Sequence, residues 1–238
     1  MIDLSRRETA LPELMDDPDC DLDALHRTYG HFVLVNRLVA GWRPLYRRRI
    51  RPLLSPAGAP TTLLDLGSGG GDVARALAAW ARRDGLRLDV TGADPDDRAH
   101  AYATAQPQPP GVTFVRAASR DLVAEGRRFD LVVSNHVVHH LDAAELAGVL
   151  RDSEGLAGRL VLHNDIARGR LAYGAYWAAT VAGFRGSFIH PDGLLSIRRS
   201  YRADELRRAI PAGWRVERPW PFRLVLSFTP GAQEHANA

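Results

Sequence analysis

Leu22, Leu25, Tyr29, Phe32, Val33, Asn36, Leu38 and Val39 recur at roughly helical spacing up to Gly41, which predicts a helix after a polar, acidic opening. Arg43 and the Arg47 to Arg51 run punctuate a second helix, which Pro52, Pro56 and Pro60 end. From Thr61 the period changes. Thr62 to Leu66 reads as a short apolar strand, Gly67 to Gly71 as a loop, and Val73, Leu77 and Trp80 as one helix face. Further strands are predicted at Leu88–Gly92, Val112–Ala117, Phe129–Ser134 and Arg159–His163, with a helix from Ala143 to Leu150 before the last of them. Strands alternating with helices predict an α/β chain with a parallel, doubly wound sheet. Trp214–Glu217 and Leu224–Phe228 break that rhythm, because the Pro219 and Pro221 loop between them is too short for a helical crossover and they should pair antiparallel. The 233–238 tail is expected to fray.

Composition narrows the class. Apolar residues are 45% of the 238, enough for one elaborated domain with a substantial core. Division at residue 57 separates an N-terminal helical lid, 1–57, from the main domain, 58–238, which carries a helical insertion at about 166–200. The weakly polar stretch Leu171–Phe184 falls short of the roughly 18 residues a spanning helix needs, so stable membrane insertion is not expected. A lone cysteine, Cys20, excludes an intrachain disulfide framework and fits a cytoplasmic location. All 31 basic residues are arginine, which excludes a lysine Schiff base and a P-loop lysine. A formal charge of +3 is too small a surplus to imply a nucleic-acid partner.

The glycine loop carries the first chemistry. In Asp65-Leu66-Gly67-Ser68-Gly69-Gly70-Gly71-Asp72 the glycines let backbone amides approach a ligand at the end of the first strand. Gly69 to Ala74 also satisfies a dinucleotide pattern, so glycines alone leave the nucleoside ligand open. Asp65 and Asp72 discriminate. Two carboxylates would repel a pyrophosphate, and residues 61–74 hold no arginine to compensate, whereas the sulfonium and ammonium of S-adenosylmethionine would be stabilised there. Asp94, at the end of the second strand, suits the two ribose hydroxyls.

Asp65-x-Gly67-x-Gly69-x-Gly71, Asp94, Phe129–His136 and Val138-His139-His140-Leu141 together resemble the class I S-adenosylmethionine-dependent methyltransferases over about residues 61–165. The nearest flavour is the group similar to ubiquinone and menaquinone biosynthesis methylases, on Val137–Leu141 and the N-terminal helices. The resemblance implies a Rossmann-like seven-stranded sheet, mostly parallel, with the antiparallel pair at its C-terminal end. It implies a cofactor set of Asp65, Gly67, Ser68, Gly69, Gly71, Asp94, Pro95, Ser119, Arg120, Asn135 and His136. One departure stands in the pattern: Ala118 and Ser119 replace the usual acid after the third strand, which leaves the adenine contact to Ser119 or, with a different bend, to Asp121.

The expected reaction is methylation of an aromatic hydroxyl on a small molecule. Carbon methylation of a quinol-like ring, or a binding protein or cyclase using the same cavity, are the alternatives. Histidine is the usual titratable base near neutral pH, which makes His139, His140 and His190 the catalytic candidates. His136, His139 and His140 lack a carboxylate or cysteine partner nearby in sequence, so no metal is expected. Of His163, Asn164 and Asp165, one is expected to meet substrate. Tyr173, Tyr176 and Trp177 share a helical face that could line an apolar pocket, pack on the first helix or form a homodimer contact. Tyr29, Asn164, Tyr173, Tyr176, Trp177 and Arg198 form the expected substrate set, with Arg198 as an anion contact. His190-Pro191-Asp192-Gly193 reads as a turn, leading toward a helix capped by Asp204 or the residues before it.

Overall fold

The computed structural model describes residues 2–231, and the expected fraying of residues 233–238 lies outside the described residues. Strands β1 (Thr61–Leu66), β2 (Leu88–Ala93), β3 (Val112–Val115), β4 (Phe129–Asn135) and β5 (Ala157–Ile166) run parallel. Strand β7 (Arg223–Phe228) pairs antiparallel with β5 on one side and with β6 (Arg215–Glu217) on the other. The seven-stranded sheet has the order β3-β2-β1-β4-β5-β7-β6. Connections lead outward in opposite directions from β1 and β4, so a crevice opens at the carboxyl ends of these two strands, where such sheets bind ligands.

Strand pleat divides the core. Leu63, Leu131, Val133, Leu162 and Val225 pack on one face with Trp42, Tyr46, Ile50 and Leu77. Their neighbours Leu64, Val132, Val161, Leu224 and Leu226 pack on the other face with Leu146, Leu150, Leu206 and Trp214. Strands covered on both faces must be apolar at consecutive positions, which is why these segments lack polar alternation.

Helix α1 (Leu22–Val39) starts where the Asp21 side chain accepts from the Asp23 and Ala24 amides. Gly41, at φ 69°, turns the chain into α2 (Trp42–Leu45), which continues through a π turn and a 3-10 turn to Leu53. The remaining helices are α3 (Asp72–Arg83), α4 (Asp97–Ala105), α5 (Ser119–Ala124), α6 (Ala143–Leu156), α7 (Arg170–Thr180), α8 (Ile189–Arg199) and α9 (Ala203–Ala209). The expected turn at His190–Gly193 is instead the first turn of α8. Pro191 is tolerated there because amides in a first turn have no partner within the helix. Helix α9 takes Asp204 into its first turn, while Glu205 accepts the Arg202 amide at 2.8 Å.

Candidate active site

The loop between β1 and α3 bends through Gly67, Gly69 and Gly71 at φ 64°, 51° and 79°, a region that L side chains rarely adopt. Asp94, just beyond β2, fixes the loop: its Oδ2 accepts the Gly69 amide at 2.8 Å and its Oδ1 the Asp96 amide at 3.0 Å. Asp65 is 1% exposed and its Oδ2 has no hydrogen-bond partner. Burial first, then the neighbouring Asp72 and Asp94 carboxylates, push the Asp65 carboxyl well above its ordinary range. A buried cluster of carboxylates with an unmet acceptor suits a cationic ligand with N–H or O–H donors. It does not suit a phosphate.

Asp65, Gly67, Ser68, Gly69, Asp94, Pro95, Asn135 and His136 line one end of a cavity of about 520 Å³. Gly71 does not line it. A Cβ at Gly71 would stand 2.3 Å from the Phe114 ring, so this glycine serves the close packing of loop against sheet. Ser119 and Arg120 also lie outside the cavity. The Ser119 hydroxyl donates to Asp152 at 2.6 Å, while Arg120 is exposed. Asp121 accepts the Ala118 amide at 2.9 Å and so caps its own helix. The short β3 and immediate turn into α5 direct these side chains away, leaving Pro95, Asp96 and Ala99 as the wall on that side.

The rest of the cavity wall is built by segments far apart in sequence, with Tyr29 lying against Gly69 and Gly70 of the glycine loop. Tyr29 and Phe32 come from α1, Tyr176 from α7, Phe188, Ile189, Ser196 and Arg199 from the α8 region, and Glu13, Met15 and Asp16 from the N-terminal segment. That segment is pinned to α8, where Asp192 accepts the Leu14 and Met15 amides at 2.8 and 3.0 Å and Ser196 Oγ donates to Glu13 at 2.8 Å. Sequence reading did not single out Glu13, Asp16 and Arg199, since no motif or spacing ties them to the glycine loop or to the histidines.

Several expected substrate contacts move elsewhere. Trp177 is 49% exposed, and neither it nor Tyr173 lines the cavity, whereas Tyr176 does, its hydroxyl donating to the Ile189 carbonyl at 2.7 Å. Arg198 pairs with Glu8 at 2.9 Å outside the cavity. One residue on, the helix rotates by about 100°, and Arg199 faces the cavity, donating to the Leu11 and His140 carbonyls at 2.7 and 3.2 Å. His190 lies outside the cavity with its Nδ1 2.8 Å from Thr180 Oγ1, because α8 turns it back onto α7. Asn164 is a buried buttress, donating to the Ala40 carbonyl at 2.7 Å and to Asn135 at 3.1 Å. His163 is buried too, with Nδ1 2.7 Å from Ser134 Oγ and its ring stacked on Trp214.

His139 and His140 do face the cavity. His139 is 1% exposed, its Nδ1 lies 2.8 Å from Asp165 and its Nε2 3.3 Å from Glu13. Burial by itself would strip this imidazole of its proton, but the Asp165 and Glu13 carboxylates outweigh that penalty and raise it to about 10. The two carboxylates thus favour the charged imidazole, which speaks against His139 as a base.

The same cluster sets a pH dependence. Burial disfavours the charged Glu13 carboxylate, yet hydrogen bonding and charge from His139 bring it down to about 2. Burial holds His163 down at about 4. A depressed Glu13 contributes stability that is present above its ordinary 4.5 and lost as pH falls toward 2. Neutral His163 acts in the same direction, since the folded state resists its protonation from its ordinary 6.5 down to about 4. His139 acts oppositely: its contribution is full below 6.5 and is lost as pH rises toward 10. Denaturant unfolding across pH should therefore give greatest stability near neutrality. A steady rise from pH 7 to 10 would contradict the His139 assignment.

The family described as methyltransferase domain matches residues 63–155. A curated relative, the ubiquinone biosynthesis O-methyltransferase of Methylobacterium sp. (strain 4-46), is 37% identical over 95 residues, 39% of this chain and 35% of its own length. The chain thus aligns with about a third of that relative. Among solved structures, the plantazolicin methyltransferase BpumL in complex with SAH superposes with a TM-score of 0.59 at 9% identity, covering 91% of this chain and 92% of that one. The magnesium protoporphyrin IX methyltransferase ChlM from Synechocystis PCC 6803 with bound SAM gives 0.55 at 15% identity, covering 93% and 99%. These structures share the fold. Residues 63–155 thus match the methyltransferase domain family, and the seven-stranded fold is the one these solved methyltransferases have. The stretch that carries the match contains Asp65, the glycine loop, Asp94 and His136–Leu141.

Proposed function

We propose that this protein transfers a methyl group from S-adenosylmethionine to a hydroxyl of a small aromatic acceptor. The observation that carries the reading is one continuous cavity, with a carboxylate-and-glycine end at the sheet edge and an aromatic end closed by a histidine–carboxylate cluster. Bound there, the cofactor would supply a methyl carbon made electrophilic by its sulfonium. Asp65 and Asp94 are assigned to its donors and Gly69 to close backbone approach.

Phe32, Tyr176 and Phe188 would bury an aromatic ring and exclude water, a use that apolar pockets with few polar groups serve, while Tyr29 closes over the glycine loop. The acceptor hydroxyl would lose its proton to water beside the histidine–carboxylate cluster, leaving an oxyanion placed for in-line displacement at the methyl carbon. The name of the Methylobacterium relative supports oxygen over carbon as the methylated atom. No helix among the described residues is long and apolar enough to cross a membrane, and we assign the enzyme to the cytoplasm on its single cysteine.

Incubation of the full chain with methyl-labelled cofactor and a panel of phenols and hydroquinones tests the reaction. Labelled ether product supports the proposal; cofactor binding without turnover across the panel overturns it in favour of a non-methylating protein. Within that assay Tyr176→Ala is expected to lower kcat/KM for the acceptor about 2- to 13-fold, the effect of losing roughly 0.5 to 1.5 kcal/mol of aromatic contact. Trp177→Ala is expected to leave acceptor kinetics and cofactor Kd at wild-type values, since this indole faces outward.

A further inference from the structure

His139 and His140 are adjacent, and each has one ring nitrogen on a carboxylate: His139 Nδ1 lies 2.8 Å from Asp165 and His140 Nδ1 3.2 Å from Asp16. Both remaining nitrogens turn to the same third carboxylate, with Nε2 atoms 3.3 and 3.8 Å from the Glu13 oxygens. One ligand atom from each of Glu13, His139 and His140 can be chosen with all three within 4.8 Å of one another. The His139 Nε2 is buried without a hydrogen-bond partner, on a side chain only 1% exposed, and it is aimed at this group.

We infer that Glu13, His139 and His140 form a site for one first-row divalent cation of the zinc type, open on its cavity side. Two imidazoles and one carboxylate are a common ligand set for such ions, and a small inward shift brings atoms at these separations to bonding distance of about 2.0 to 2.2 Å. Asp165 and Asp16 hold the outer nitrogens, the arrangement by which carboxylates orient metal-binding imidazoles and raise their basicity. Glu13 and Asp165, both nearly inaccessible to water, together match the charge of one such ion. The fourth position faces the acceptor end of the cavity, since all three ligand residues line it. An acceptor hydroxyl bound there would release its proton to water and be held as the oxyanion. Only that last role rests on the methyl-transfer reading; the site itself rests on the geometry of the three ligands.

Calorimetric titration of chelator-treated full-length protein with Zn²⁺, and visible spectroscopy with Co²⁺, test the site. One cation per chain and tetrahedral-type Co²⁺ absorption are expected. Glu13→Gln and His140→Asn should each weaken binding at least about 10-fold while far-UV dichroism stays that of a folded protein, and Asp165→Asn should weaken it about 10- to 100-fold. If Glu13→Gln fails to fold, the half-exposed His140 provides the variant that decides. Absence of stoichiometric binding, or binding unchanged by the His140 substitution, overturns the inference. S-adenosylhomocysteine titration of the same samples keeps the two readings apart. Cation binding with no methylated phenol would leave the site standing and sink the reaction, and methylation at full rate by protein that fails to bind the cation would sink the site and leave the reaction standing.

Discussion

Replacing Asp165 by alanine is expected to lower the unfolding free energy by about 3 to 5 kcal/mol, the range seen when one partner of a buried ion pair is removed. Asp165 is 2% exposed near the end of β5, where one oxygen sits 2.8 Å from His139 Nδ1 and the other accepts the His139 amide at 2.9 Å. The first oxygen also accepts the amide of Ile166 at 2.7 Å. Alanine would remove an acceptor from a buried imidazole and from two backbone amides, and the flanking Glu13 alone would have to balance the His139 charge. Urea unfolding monitored by dichroism measures the change. A loss under about 1 kcal/mol, typical of an exposed ion pair, would show that the cluster is hydrated rather than buried.

Asp94→Ala is expected to weaken cofactor binding by about 1.5 to 3 kcal/mol, the worth of hydrogen bonds to a charged group, or roughly 10- to 150-fold in Kd. Two effects combine. Ribose hydroxyls would lose a charged acceptor, and the Gly69 amide would lose the Oδ2 that holds the glycine loop in place at 2.8 Å. Asp94→Asn separates them, since its carbonyl can keep the Gly69 bond while the charge is gone. Titration with S-adenosylhomocysteine measures each step, and an unchanged Kd in both variants would remove Asp94 from the site.

Local signals were enough for the sheet and the glycine-loop side of the cavity. Leu63-Leu64-Asp65-Leu66 followed by glycines is contiguous, so strand, turn and buried carboxylate can be read along one short run. Asp94, Asn135 and His136 follow because parallel strands bring their carboxyl ends to one edge. Errors on that side came where a loop turns sooner than expected: Ser119 lies within a helix that starts just after β3, and Gly71 meets Phe114 rather than ligand.

The remaining wall of the cavity depended on tertiary structure. Residue type and periodicity placed Tyr176 and Trp177 on one helix, but only the packing of α7 on α8 turns the first inward and the second to solvent. Arg198 and Arg199 were indistinguishable as a pair until the phase of α8 assigned them to opposite duties. Glu13 lies 126 positions before His139, and no spacing rule connects them. The sequence by itself determined the parallel sheet, its antiparallel edge and the carboxylate-lined glycine loop, because those features follow from neighbours a few residues apart. The tertiary structure alone decided that an acidic N-terminal segment closes over α8 and supplies the carboxylate which two adjacent histidines share, because that meeting depends on long-range packing around Asp192 and Ser196.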